Sequence, residues 1–281
     1  MFTSEIDAKT QIYGIIGNPV EHSMSPLIHN LAFRRLGMNA VYLPFLVQDI
    51  KGAIYGIRAF QIRGMSITIP FKTEIIKYID EIDDTARAIG AINTIRFTED
   101  RITGFNTDWL GVVRSIQEFL PIKDRKFVVL GAGGAARAVL FGLKKEGGNP
   151  IIVNRTPAKG EMLSREFECP FFPLNQIDDL QGDCLINTTP VGMFPDIDKS
   201  PVPGKVLSRF GFVLDIIYNP LKTKLLKEAE KRGAVAINGV KMFVYQGAEQ
   251  FKAWTGKEPP VKEMENAVLK QLSIRSIKSE K

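Results

Sequence analysis

The feature that most constrains this chain is an apolar run, Phe127-Val-Val-Leu130, that empties directly into Gly131-Ala-Gly133-Gly134-Ala-Ala136-Arg137. Gly131 permits a tight turn out of a strand, Gly133 lets backbone approach a pyrophosphate, and Ala136 is the small third residue that helix-to-strand packing requires. Ala135 to Lys145 then reads as a helix whose N-terminus faces the phosphates. Gly131, Ala132, Gly133, Gly134 and Ala135 are therefore candidate nucleotide-binding residues. A glycine pattern is weak alone, and the next strand decides between it and a plain turn. Pro150-Ile-Ile-Val-Asn154-Arg155-Thr156 has no acidic residue where an NAD site places one, and Lys159 follows one turn on. A planar, permanently charged guanidinium suits a ribose 2′-phosphate that a carboxylate would repel, so the expected cofactor is NADP.

At 281 residues the chain is long enough for two domains with their own cores. Its net charge of +6 asks for an anionic partner, which NADP and a small acid supply. Nucleic acid is not expected, since no dense Lys/Arg stripe interleaved with aromatics occurs. The tail at 278–281 reads as solvated. Cys169 and Cys184 lie far apart without metal-ligand spacing, as free thiols of a reducing cytoplasm would. The start, residues 1–7, has no basic region followed by an apolar core, and no apolar run approaches membrane-spanning length. His22 and His29 are too few for a metal site.

Strands and helices alternate along the chain, which argues for α/β layers with mostly parallel sheets in two domains. In the first, strands are expected at Gln11 to Gly17, Ala40 to Val47 and Gly64 to Ile69. Helices are expected at Pro26 to Leu36, Gly52 to Gln61 and Phe71 to Ile79, and two strands around a Glu99-Asp100 turn fill Ala91 to Thr107. A connecting helix, Trp109 to Leu120, leads into a Rossmann-type domain. Its strands are expected at Phe127 to Gly131, Pro150 to Asn154, Cys184 to Thr188, Phe212 to Ile217 and Val235 to Ile237. Helices at Val240 to Trp254 and Val261 to Leu272 have no place in a finished nucleotide domain and should return to the first. The expected division is 1–108 plus 241–281 for substrate and 109–240 for NADP.

The first domain carries polar residues that a plain strand or helix does not need. In His22-Ser23-Met-Ser25-Pro26, Ser25 before a proline is a good helix N-cap, whereas Ser23 has no such role; both hydroxyls beside a helix N-terminus suit a carboxylate. In Ser66-Ile-Thr68-Ile-Pro70-Phe71-Lys72, Thr68 shares a strand face with Ser66. Lys72 is expected in a first helical turn, where the macrodipole disfavours a cation, and reads either as a functional group or as an exposed lysine. Asp108, in Asn106-Thr107-Asp108, is either a cap or the partner of Lys72 in passing a hydroxyl proton during hydride transfer.

These segments, with Gly90-Ala-Ile-Asn93-Thr94, Asn187-Thr-Thr-Pro-Val-Gly192-Met193 and Gly239-Val-Lys-Met242-Phe-Val-Tyr-Gln246, resemble the shikimate dehydrogenases in order and over nearly the whole chain. The resemblance implies NADPH-dependent reduction of 3-dehydroshikimate to shikimate, on the way to chorismate and aromatic amino acids. It implies that Ser23, Ser25 and Tyr218 bind the substrate carboxylate. Thr68, Lys72, Asn93, Asp108 and Gln246 would hold the ring hydroxyls, with Lys72 and Asp108 the catalytic pair. Met193, Gly239 and Met242 would flank the nicotinamide end of the cofactor and Thr188 and Ile216 would also bind the cofactor, with no metal involved. A monomer or a homodimer is expected.

Three positions depart from the common family pattern: Ser66 for an Asn, Trp109 for a Gly after Asp108, and Lys241 for a Gly before Met242. Ser66 keeps hydrogen-bonding ability, and Trp109 adds bulk beside Asp108. Two rival readings stand beside the main one. A quinate/shikimate dehydrogenase would accept a broader range and often NAD, against which Arg155 argues. A catalytically silent sensor would not require both Lys72 and Asp108.

Overall fold

The structure, a computed structural model, describes residues 6–279, with side chains through residue 274. The readings of the start, 1–7, and of the tail, 278–281, fall largely outside them. In chain order the first half runs β1 (Gln11–Gly17), α1 (Ser25–Arg35), β2 (Ala40–Leu46), α2 (Ile50–Ala59), β3 (Gly64–Ile67), β4 (Glu81–Ile82), α3 (Asp84–Ile89), β5 (Thr94–Thr98) and β6 (Arg101–Phe105). It continues α4 (Asp108–Gln117), β7 (Lys126–Leu130), α5 (Gly134–Lys145), β8 (Asn149–Asn154), α6 (Pro157–Phe167), β9 (Phe171–Pro173) and β10 (Gly182–Asn187). The last elements are β11 (Phe210–Asp215), α7 (Lys224–Lys231), β12 (Val235–Ile237), α8 (Val240–Thr255) and α9 (Val261–Ser279). One compact unit holds the chain up to Thr107 together with Val244–Val268; the other holds Asp108–Phe243 and the residues from Leu269 onward.

The first unit is built on a sheet of order β2-β1-β3-β5-β6-β4. β1 runs parallel to β2 and β3, while β5 is antiparallel to both its neighbours. Alternation along the strands sorts their side chains. Ile16, Met65, Ile67 and Ile95 join Ile50, Ile54 and Ile57 of α2 in one core. On the opposite pleat, Tyr13 meets Phe33 and Trp254, so α1 and the α8 segment cover that face.

The second unit has an all-parallel sheet of order β12-β11-β10-β7-β8-β9. Numbered from β7, this is the 3-2-1-4-5-6 order of a doubly wound dinucleotide fold, with its switch point between β7 and β10. Phe127 and Val129 enter one core and Val128 and Leu130 the other, as a strand buried on both faces requires. Trp109 stands edge-on to Phe141 at 5.5 Å, with Lys145 Nζ 5.3 Å from the Trp109 ring. The bulk that replaces a glycine is thus spent in α4–α5 packing.

The strand candidates recur within three residues of their expected ends. The sequence reading names no counterpart for β4, α3, α6, β9 or α7, although parallel neighbours demand crossovers where α6 and α7 stand. The helix expected over Phe71 to Ile79 is instead a turn followed by a 3₁₀ segment, Glu74–Tyr78. Within it only Ile75 is buried, and the β-branched Thr73, Ile75 and Ile76 add little helical preference. Lys72 therefore precedes the 3₁₀ segment, and the macrodipole argument for it falls away.

His29 is fully buried on α1 and stacked on Tyr42 at 4.5 Å, with Trp254 at 5.1 Å. Neither ring nitrogen has a partner at hydrogen-bonding geometry, although the nearby Gln250 amide favours the charged form in part. Burial pushes the imidazole down to about 3 from its ordinary 6.5. The unfolded chain then takes up a proton below pH 6.5 that the folded imidazole refuses until about 3, so this group's stability contribution is lost as pH falls across that window. In urea unfolding, the wild type should lose roughly 3 kcal/mol more than His29→Phe between pH 7 and 4.5. Equal losses would show that His29 does not titrate this way.

Candidate functional site

Parallel register gathers the polar segments of the first unit at one edge of its sheet. Ile16 of β1 pairs with Ile67 of β3, so the loops after both strands begin side by side. The Thr68 N–H donates to Ile16 O at 3.0 Å and the Asn18 N–H to Ile69 O at 2.9 Å. Because β5 is antiparallel, its beginning lies at that same edge. The Ile67 N–H donates to Asn93 O at 2.7 Å, and the Asn93 N–H to Phe105 O at 3.1 Å. The Ile92 N–H donates to Lys72 O at 2.7 Å, tying the Lys72 turn to Asn93. Thr68, Lys72, Asn93 and Thr107 thus share one strand edge with the loop that carries Ser23 and Ser25.

The serines exchange the roles expected of them. Met24 occupies the N-cap of α1, Ser25 is its first helical residue, and no side-chain cap bond forms. Ser23 has the local role, accepting from the Ser25 N–H at 3.2 Å. Ser25 is 4 % exposed, and its hydroxyl, like that of Thr68, has no partner among the described residues. A hydroxyl so placed has capacity for a ligand.

Asn93 is 2 % exposed and Gln246 9 %. Asn93 Oδ1 accepts from the Thr107 N–H at 2.8 Å and from Thr94 Oγ1 at 2.7 Å. Asn93 Nδ2 donates to Thr107 Oγ1 at 2.9 Å and lies 3.4 Å from Gln246 Oε1, while Thr107 Oγ1 donates to Gln246 O at 3.0 Å. Asp108, the next residue, is buried and opens α4, where a carboxylate complements the helix dipole. Thr94, Thr107 and Gln250 belong to this cluster but were not singled out from sequence. Gln250 carried a usable signal, a polar residue one turn after Gln246 beside the apolar Phe251.

In the second unit, register aligns Leu130 with both Asn187 and Val153, and Asn187 with Asp215. The loops after β7, β8, β10 and β11 therefore open at a common edge. Gly131 has φ +114, and a Cβ there would stand 2.5 Å from Thr188 Oγ1, so no other residue fits. Gly133 caps α5 in extended conformation, and an added Cβ would meet nothing within 4 Å. Its smallness serves no packing in the protein, and it leaves the α5 N-terminus with Gly134 and Ala135 open to a phosphate. Asn154 Nδ2 donates to Thr156 O at 2.9 Å and shapes the turn after β8. Arg155 and Lys159 are exposed, with no hydrogen-bond or ion-pair partner among the described residues. This donor set fits a dinucleotide bearing an extra phosphate.

Around the switch point, Thr188 Oγ1 donates to Leu130 O at 2.6 Å. Asp215 is fully buried and receives Asn187 Nδ2 at 3.0 Å, Thr223 Oγ1 at 2.7 Å and the Ile217 N–H at 3.1 Å. Burial nevertheless pushes its carboxyl up to about 6, against those three donors. A Cβ on Gly239 would lie 2.2 Å from Ile216 O, so glycine is required there by backbone contact. Met242 is buried in the core that Ile216 packs against, Met193 is 40 % exposed, and Tyr218 packs tilted against Phe243 with ring centroids 4.4 Å apart. Lys241 pairs with Glu118, which gives the third departure a partner. Among the described residues no cluster of His, Cys, Asp and Glu is placed to hold a metal, and no helix is long and apolar enough to cross a membrane.

Comparison with known proteins bears on the whole chain. Residues 15–95 match the shikimate dehydrogenase substrate binding domain, and residues 239–269 the shikimate 5′-dehydrogenase C-terminal domain. A shikimate dehydrogenase (NADP(+)) of Methanocaldococcus jannaschii is 47% identical over 283 residues, covering 95% of this chain and 99% of that protein. The one from Methanothermobacter thermautotrophicus is 42% identical, with the same shares covered. A crystal structure of shikimate dehydrogenase in complex with NADP+ superimposes with TM-score 0.89 at 45% identity, over 96% of this chain and 98% of that one. The Thermus thermophilus enzyme, in complex with NADP(H) and shikimate, gives 0.86 at 34% identity, over 92% and 99%. With a substrate-domain sheet followed by a doubly wound nucleotide domain, the chain belongs to the shikimate dehydrogenase family.

Proposed function

We propose that this protein interconverts 3-dehydroshikimate and shikimate with NADPH and NADP+ in the cytoplasm, as a monomer or homodimer without nucleic-acid or membrane partners. The observation that carries the reading is the polar edge of the first sheet, where buried Asn93 and Gln246 stand with Ser25, Thr68 and Lys72. A cyclic acid rich in hydroxyls offers groups to which the Ser25 and Thr68 hydroxyls can bond. Ser23, Ser25 and Tyr218 donate to the substrate carboxylate. Thr68, Asn93 and Gln246 bond the ring hydroxyls.

The Gly131–Ala135 segment and the α5 N-terminus hold the pyrophosphate, with Gly131, Ala132, Gly133, Gly134 and Ala135 as its backbone donors. Asn154, Arg155, Thr156 and Lys159 hold the 2′-phosphate. Thr188, Met193, Ile216, Gly239 and Met242 surround the nicotinamide. When bound, NADPH supplies the hydride that reduces the C3 carbonyl carbon. The ammonium of Lys72 stabilises the negative charge that develops on the C3 oxygen and delivers its proton, and Asp108 orients that ammonium and the substrate hydroxyl.

NADP+ reduction by the purified protein should be fast with shikimate and slow when quinate or NAD+ replaces either reactant. Comparable rates with quinate or NAD+ would establish the broader quinate/shikimate activity; binding of NADP+ without turnover would establish a sensor. Lys72→Ala should lower kcat by about 100-fold or more with the shikimate KM changed only a few-fold, since an acid acting in the transition state is lost. A raised KM at unaltered kcat would make Lys72 a binding residue. Arg155→Ala should raise the KM for NADP+ about tenfold and leave that for NAD+ unchanged, one charge-assisted contact being lost. Equal changes for both cofactors would remove Arg155 from the 2′-phosphate.

A further inference from the structure

The interior of the first unit contains a hydrogen-bond chain that the proposed chemistry does not use. Tyr42 Oη donates to Ser66 Oγ at 2.6 Å, and Ser66 Oγ donates to Gln250 Oε1 at 2.8 Å. Gln250 Nε2 donates at 3.0 Å both to Thr94 Oγ1 and to Asn93 O. Thr94 Oγ1 donates in turn to Asn93 Oδ1 at 2.7 Å. Tyr42, Ser66, Thr94 and Gln250 are each at most 4 % exposed.

The direction of this chain is imposed by two backbone groups. The Thr107 N–H can only donate, so the Asn93 atom that meets it must be Oδ1. Asn93 O can only accept, so the Gln250 atom that meets it must be Nε2. Once those ends are fixed, Gln250 Oε1 needs a donor, which Ser66 supplies while accepting from Tyr42. Thr94 accepts from Gln250 and passes its own proton to Asn93. The Ser66 and Thr94 hydroxyls are each used once as donor and once as acceptor, and neither can reverse without leaving a buried group unsatisfied.

We propose that Thr94, Gln250 and Ser66 are positioning residues for substrate recognition: their one-way relay from Tyr42 holds the Asn93 amide with its Nδ2 end toward Gln246 and the substrate. Ser66, the departure from the common family pattern, is integral to it, because its small hydroxyl reaches Tyr42 and Gln250 together. The proposal rests on the assignment of Asn93 to the substrate, made above.

The test combines kinetics with a measurement on the protein without substrate. Thr94→Val keeps the shape and removes the hydroxyl. It should raise the shikimate KM about fivefold or more, as expected when the Asn93 amide oxygen keeps the Thr107 N–H but loses its second donor and Gln250 Nε2 loses one of its two acceptors, with the NADP+ KM and kcat within about twofold. Thr94→Ser should restore the wild-type KM. Ser66→Ala combined with Thr94→Val should be no worse than Thr94→Val alone, because the links act in series. In ¹⁵N spectra of the substrate-free protein, Ser66→Ala should shift the Asn93 side-chain amide as well as that of Gln250. A shikimate KM unchanged in folded Thr94→Val, parallel rises in both KM values, or additive effects would overturn the relay. Should Thr94→Val fail to fold, a Ser66→Ala spectrum that moves Gln250 and not Asn93 would overturn it as well. Absence of shikimate turnover by the wild type would instead sink the substrate assignment, and the spectra would still decide the relay.

Discussion

Burying side-chain amides is costly unless each of their hydrogen-bonding atoms finds a partner, and the first unit buries four: Asn93, Asn106, Gln246 and Gln250. That requirement organises what surrounds them. It places Thr94 and Thr107 on either side of Asn93, draws Ser66 and Tyr42 toward Gln250, and anchors the α8 segment to the sheet through Thr107 and Gln246. Because each bond is made inside the protein, the polar edge enters any encounter with ligand already aligned. Such an edge need spend little of the binding free energy on ordering side chains.

The second unit meets the same constraint with a charge-bearing group. Asp215 gathers Asn187, Thr223 and the Ile217 N–H, and so fastens the loop after β10, the turn after β11 and the start of α7 to one carboxyl. The first of these flanks the switch point, where doubly wound sheets take their ligands. Asp215 is itself fully buried, yet all three segments are hung from its carboxyl. His29 is the contrasting case, a polar ring kept neutral by an aromatic surround that offers stacking and almost nothing else.

Much of this was legible in the sequence because it is written in local patterns. The strand, glycine turn and helix at Phe127 to Lys145 are specified by residues adjacent in the chain, as is the absence of an acid after β8. The polar edge was legible as motifs, but not its internal wiring, since Ser66, Thr94 and Gln250 become partners only when β3, β5 and α8 are packed. The exchange of roles between Ser23 and Ser25 was hidden for a smaller reason. Both serines suit a helix start, and backbone geometry, not residue type, decided that Met24 would cap. Lys72 was misplaced because Phe71 to Ile79 has helical spacing but too little buried surface to complete a helix.

The discontinuity of the first unit sets an order of events on the ribosome. Gln246, Gln250, Phe251 and Trp254 lie beyond the whole Asp108–Phe243 segment, yet they satisfy Asn93, Thr94 and Ser66 and cover His29 and Tyr42. The residues synthesised first therefore carry an unfinished polar seam and a bare aromatic face while the nucleotide sheet, nearly contiguous in sequence, is translated and folds. Emergence runs from the N-terminus, but completion does not: the unit that precedes the nucleotide sheet in the chain is closed by α8, which follows that sheet.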